Sequence, residues 1–187
     1  HWNNTDFEGL DEITVDYQPD WNLIGLPLNV EDASYSSLFP GSIDGTLYSF
    51  DGGYDPEEYL TPGEGYWLRF PGSGSSIISG APINELTISL SEGWNLISGP
   101  SGEVSIYSVN DPGDVIVEGT LYSFSGGYMP SETLVPGKGY WLRAYEDGEI
   151  TLSSGGLARV SGESMSLKGE ANTLSIHGMD LYFGMDL

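Results

Sequence analysis

The chain has 187 residues, no Cys, and only 5 Lys and Arg against 28 Asp and Glu, for a net charge of −23. A surface so poor in cations repels polyanions, which argues against nucleic acid and anionic membranes as partners, because both are held through clusters of Lys and Arg. No run of about 18 apolar residues is present to cross a bilayer as a helix, and the length suits one domain or two intimate halves.

Taken in chain order, the first signals lie outside any pattern. His1 reads as a cut, and Trp2 stands among Asn3, Asn4 and Asp6, where a ring beside amide and carboxylate groups suits a sugar but a loose terminus is the plainer account. Short β-branched or aromatic runs follow at residues 13–17, 46–50, 66–70, 86–90, 150–152 and 173–176, each bounded by Gly, Pro, Asp or Ser, and they predict strands. Helical turns are expected only at 33–38 and 56–60. Strands at this spacing predict an all-β protein of sandwich or barrel type.

The strongest signal is a duplication. Residues 45–69, GTLYSFDGGYDPEEYLTPGEGYWLR, return at 119–143 as GTLYSFSGGYMPSETLVPGKGYWLR, with 19 of 25 positions identical and an offset of 74. Upstream, the Trp-Asn-Leu-Ile strand at Trp21 returns at Trp94, so each unit reads strand, turn, Trp-Asn-Leu-Ile strand, variable loop, then the repeated block. The period exceeds the roughly 20 to 50 residues of solenoid units. It predicts two half-domains, 1–84 and 85–158, packed about a pseudo-twofold axis, with 159–187 as a C-terminal β segment that starts a following domain or closes the fold as a strand pair.

Several repeated residues read as scaffold. Pro62-Gly63 and Pro136-Gly137 fit tight turns, as do Gly52-Gly53 and Gly126-Gly127. A phosphate-binding reading of these glycines fails because a strand follows where a helix is needed. In the Tyr-Trp-Leu-Arg strands, Tyr66 and Leu68 share one face while Trp67 and Arg69 share the other, and Tyr140 to Arg143 repeat this. The expectation is that Trp67 and Trp141 are core, with the Arg stem packed alongside. An exposed Trp-Arg sugar platform is the sharper alternative. Trp21 and Trp94 share a strand face with Leu23 and Leu96 and are also expected in the core.

If shared positions are scaffold, function is expected where the copies diverge. The loops 28–43 and 101–117 carry Asn29, Asp32, Tyr35 and Phe39 in one half and Tyr107, Asn110 and Asp111 in the other. Rings that stack on a pyranose, beside acids and amides that bond its hydroxyls, make these seven the candidate ligand-binding residues. Asp51, Asp55 and Glu57, with Glu58, are candidate calcium ligands. Copy two has Ser125, Met129 and Ser131 there, which confines any calcium site to the first half, and the spacing is not that of an EF-hand. Calcium is the one cofactor these residues suggest.

Catalysis finds little support. With no Cys and only His1 and His177, a Cys-His pair is excluded and a Ser-His-Asp triad would rest on a lone His near the end of the chain. Two carboxylates on a β scaffold would suffice for a glycoside hydrolase, so a small jelly-roll hydrolase stays as an alternative.

The Trp-Asn-Leu-Ile-Ser strand at 94–98 and the Gly-Tyr-Trp-Leu strand about 45 residues on resemble a repeat module of secreted multidomain bacterial proteins, over residues 13–143. The tail from Ala171, ANTLSIHGMDLYFG, resembles segments that precede a C-terminal secretion-sorting domain. The resemblance implies a non-catalytic accessory or surface module, secreted or at the cell surface and excised from a longer chain, without supplying a ligand or catalytic residues. The expected function is polysaccharide binding alongside neighbouring domains of the same chain. A structural spacer or adhesion module is the alternative.

Overall fold

The computed structural model describes residues 9–154, 172–176 and 179–183. The first half runs β1 (Asp11–Tyr17), β2 (Asp20–Gly25), β3 (Leu28–Asn29), the one-turn helix α1 (Tyr35–Leu38), β4 (Tyr48–Phe50), β5 (Tyr54–Pro56), β6 (Gly65–Phe70) and β7 (Gly74–Pro82). The second runs β8 (Glu85–Leu90), β9 (Gly93–Ser98), β10 (Val104–Ser105), a 3-10 turn (Ile106–Ser108), β11 (Tyr122–Phe124), β12 (Tyr128–Pro130), β13 (Thr133–Leu134), β14 (Gly139–Ala144) and β15 (Gly148–Ser153). The protein is all-β and sandwich-like, with antiparallel sheets throughout. Contacts divide the chain into His1–Gly155 and Gly156–Leu187, so both repeats share one unit. In the other unit β16 (Asn172–Ile176) pairs antiparallel with β17 (Met179–Phe183). Trp2, Asn3, Asn4, Asp6 and His177 lie outside the described residues.

Each half builds a four-stranded sheet in the same order, β2-β6-β4-β5 and β9-β14-β11-β12. The registers match as well. Trp21 sits opposite Arg69 and Leu23 opposite Trp67 in one, and Trp94 opposite Arg143 and Leu96 opposite Trp141 in the other. The expected turns form: Gly52 and Gly126 take φ of 67° and 69° at the hairpin tips, and Gly63 and Gly137 take 93° and 79° after their prolines.

Both faces of these sheets contribute buried residues. On one side Ile24, Tyr66, Leu68 and Phe70 pack against Val15 of β1 and Ile78 of β7, while Ile97, Tyr140 and Leu142 pack against Ile88 of β8 and Leu152 of β15. On the other side Leu23 and Trp67 meet Leu96 and Trp141, joining the halves through a third apolar cluster. The contacts at this junction are reciprocal. Gly25 N–H donates to the Gly137 carbonyl at 3.1 Å and Ser98 N–H donates to the Gly63 carbonyl at 2.9 Å. The backbones approach closely enough that a Cβ on Gly65 would stand 2.6 Å from the Ile97 carbonyl oxygen, and one on Gly139 would stand 2.7 Å from that of Ile24.

Two element expectations need correction. Residues 56–60 form no helix, because Glu57 N–H is bonded to the Leu47 carbonyl and Leu60 N–H to that of Ala33, which hold the segment extended along its neighbours. The nine-residue β7 was not foreseen. Its Ser-rich stretch carries little β propensity, and its alternation is supplied by burial of Ser76 and Ile78 while Ile77 is exposed.

Candidate functional site

The edge strands β2 and β9 carry Trp21 and Trp94 past the joint between the halves. The two rings are 36% and 44% exposed, whereas Trp67 and Trp141 are 9% and 8% exposed. Trp67 and Trp141 are thus core, as expected, and Trp21 and Trp94 are not. Leu23 and Leu96 share their faces but lie further along the strand, where the opposite half covers them.

The exposed tryptophans each open onto an aromatic cleft. One, of about 450 Å³, is lined by Trp21, Tyr48, Tyr54, Trp67 and Phe124. The other, of about 470 Å³, is lined by Trp94, Tyr122, Tyr128, Trp141 and Phe50. Each takes four rings from its own half and a Phe from the other. Phe124 meets Trp67 edge-on at 4.8 Å, and Phe50 meets Trp141 edge-on at 4.7 Å. The β4–β5 hairpin therefore serves both clefts, with Tyr48 and Tyr54 on its own side and Phe50 on the other.

The surroundings of the clefts differ. Beside Trp21, Arg69 Nε donates to Asp20 Oδ1 at 2.6 Å, and the guanidinium carbon lies 5.9 Å from the Trp21 ring centroid. This is the sole ion pair among the described residues. Asp20 keeps this position at a φ of 73°, in the left-handed region where copy two has Gly93. A polar trough of about 640 Å³ adjoins the Trp21 cleft, bringing Asp16, Gln18, Asn22 and Lys138 up to Trp21 and Phe124. Lys138 Nζ donates to the Asp16 carbonyl, and burial pulls its pKa below the ordinary lysine value. Behind the sheets, burial and then the Glu64 carboxylate raise Tyr66, whose hydroxyl donates to Glu64 Oε2 at 2.7 Å; burial likewise raises Tyr140.

The seven loop candidates do not converge. Phe39 is fully buried in the first-half core, edge-on to Phe70, and no face is free for a sugar. Tyr35 is also buried; its hydroxyl donates to Asp44 and accepts from Gly45 N–H, both at 2.8 Å, so it pins the loop. Asp32 accepts from Ser34 N–H and Ser37 Oγ at the start of α1, and the Ser37 bond holds its carboxyl below the usual range. Asp111 accepts from the N–H groups of Val115 and Ile116 and organises its own turn. Asn29 and Asn110 are exposed residues whose backbones pair with Ala81 and Thr151. Tyr107 is the one open ring of the set, 77% exposed, with its hydroxyl on Glu132 at 3.2 Å.

Asp51, Asp55 and Glu57 are exposed, and among the described residues no group of three His, Cys, Asp or Glu is placed to hold a metal ion. Glu57 instead accepts from Ser49 Oγ at 2.9 Å. The cleft residues Tyr48, Phe50, Tyr54, Tyr122, Phe124 and Tyr128 were missed because identity between the copies was equated with burial. Tyr54 and Tyr128 held the clue, since each follows a Gly-Gly hairpin tip, where a ring is exposed, and both copies keep it. No family model, curated protein or solved structure matches this chain.

Proposed function

We propose that the protein is a non-catalytic glycan-binding module whose recognition surface is the pair of aromatic clefts. The observation that carries this reading is that open Trp and Tyr rings line each cleft, with a polar trough directly beside the Trp21 cleft. An indole or phenol face takes the apolar C–H face of a pyranose, and Gln18, Asn22 and Asp20 offer donors and acceptors to its hydroxyls. Linings made wholly of aromatic rings favour stacking over the two facing carboxylates that glycoside hydrolysis needs. Two such clefts on one compact unit suit a polymer with a repeated sugar, since the second contact then adds affinity without a second diffusional encounter.

The test is retardation of the full chain in affinity gels against soluble polysaccharides, and sedimentation with insoluble ones, with and without calcium. Retention by a glycan class, lost in Trp21→Ala and Tyr54→Ala, supports the reading and identifies the ligand. Silence across the panel removes it, and a spacer whose aromatics serve only to join the halves takes its place.

A further inference from the structure

We propose that the Trp94 cleft is an aromatic cage for a quaternary alkylammonium group, a choline-type substituent, carried by the glycan. The proposal rests on the glycan reading for the carrier and on three features of the cleft for the group.

The first is shape. Phe50 stands at 78° to Trp141, Trp94 at 86° to Trp141 and Trp94 at 57° to Tyr122, with centroids 4.7 to 6.3 Å apart. Rings set this steeply present faces from several directions, enclosing a near-spherical group better than they stack on a flat one. The negative faces of aromatic rings attract a cation, Trp most strongly, and methylated ammonium groups, which shed water easily, gain most.

Charge is the second feature. The chain carries −23, and one substitution between copies puts a carboxylate next to a residue of this cleft. The trough beside the Trp21 cleft is lined by Lys138 and Ser125 together with Trp21 and Phe124; at the offset of the repeat, Trp94 and Phe50 have Glu64 and Asp51 in those places. Asp51 directly follows the cleft residue Phe50, while the Glu64 carboxylate is held by the Tyr66 hydroxyl, so Asp51 is the carboxylate beside this cleft.

The third feature is a cation that the chain itself supplies to the equivalent ring. Arg69 lies over Trp21, held there by Asp20. At Trp94 the counterpart of Asp20 is Gly93, and among the described residues Arg143 makes neither an ion pair nor a cation–π contact. One tryptophan is thus served by an internal guanidinium, and the other presents its ring to solvent.

Choline chloride titrated into the protein, followed by tryptophan fluorescence and calorimetry, is the test, with 3,3-dimethylbutan-1-ol as the neutral isostere. The expected result is saturable choline binding at one site, at least about tenfold tighter than the neutral alcohol. Tyr128→Ala, at an exposed hairpin tip, should weaken choline at least about tenfold, while Trp21→Ala, whose ring contacts are Tyr48 and Trp67, leaves it unchanged. The replacement Asp51→Ser uses the residue that copy two has at that position; it should weaken choline severalfold without affecting the alcohol. Equal affinity for the two probes, an equal loss in Trp21→Ala, or no choline binding would overturn the cage. Retention by an uncharged glycan together with no choline binding would sink this proposal alone and leave the glycan reading standing. To establish the carrier, a choline-substituted polysaccharide must bind more tightly than its stripped form; preference for phosphatidylcholine vesicles over both would overturn the glycan assignment.

Discussion

Replacing Gly25 with alanine places a methyl carbon 2.1 Å from the Cβ of Ser98. Carbon atoms rest at about 3.5 to 4 Å, so the halves must separate by more than an ångström or distort locally. The site cannot yield by rotating a side chain, because the opposing atom is attached to the backbone and Ser98 is fully buried. Overpacking of this kind costs about 1 to 3 kcal/mol, partly offset by about 0.4 to 1 kcal/mol from the reduced freedom of the unfolded chain. A net loss of about 1 to 2 kcal/mol is expected, which lowers Tm by roughly 2 to 8 °C for a chain of this size. Ser98→Gly should rescue it, since the next atom met is the Lys138 carbonyl oxygen at 3.3 Å. Urea denaturation of the parent, both single variants and the double variant measures the coupling, which should favour the pair by at least about 1 kcal/mol. Because Phe50 and Phe124 reach their clefts across this junction, glycan retention should fall and recover with stability. A Gly25→Ala protein within about 0.5 kcal/mol of the parent, or a double variant no better than the sum of the singles, would refute the reasoning.

Trp67→Ala or Trp141→Ala should each cost about 3 to 5 kcal/mol, since each ring fills the joint between the sheets; calorimetric unfolding reads this, and Tyr54→Ala or Tyr128→Ala should change stability by less than about 0.5 kcal/mol. The raised folded pKa values of Tyr66 and Tyr140 make stability depend on alkaline pH. The folded state holds these protons above the ordinary value of 10.0, so their contribution is full below about pH 10 and is lost as pH rises through the folded values. Unfolding midpoints should therefore drop above pH 10, less steeply in Tyr66→Phe; a parallel drop in both proteins would argue against this cause. Asp111→Ala should cost about 1 to 2 kcal/mol by freeing two backbone N–H groups, without altering retention by any glycan, in contrast to its initial reading as a ligand contact.

Local chemistry made much of this protein legible from its residues. The Pro-Gly and Gly-Gly turns, the strands containing Tyr66 and Tyr140, and the all-β class follow from fixed φ, positive φ and β propensity, all of which act over a few residues. The repeat made two half-domains an expectation of the sequence alone. What the tertiary structure decided was which apolar faces met a partner. Periodicity places Trp21 with Leu23 and Trp67 with Arg69, but it does not say that a second sheet covers Leu23 and Trp67 while stopping short of Trp21. Phe39 and Tyr35 read as open loop residues because the strands that bury them, β6 and β7, lie some thirty or more residues downstream. The clefts themselves depend on Phe50 and Phe124 crossing to the opposite half, and a pairing between residues so far apart leaves no trace in the spacing of either copy.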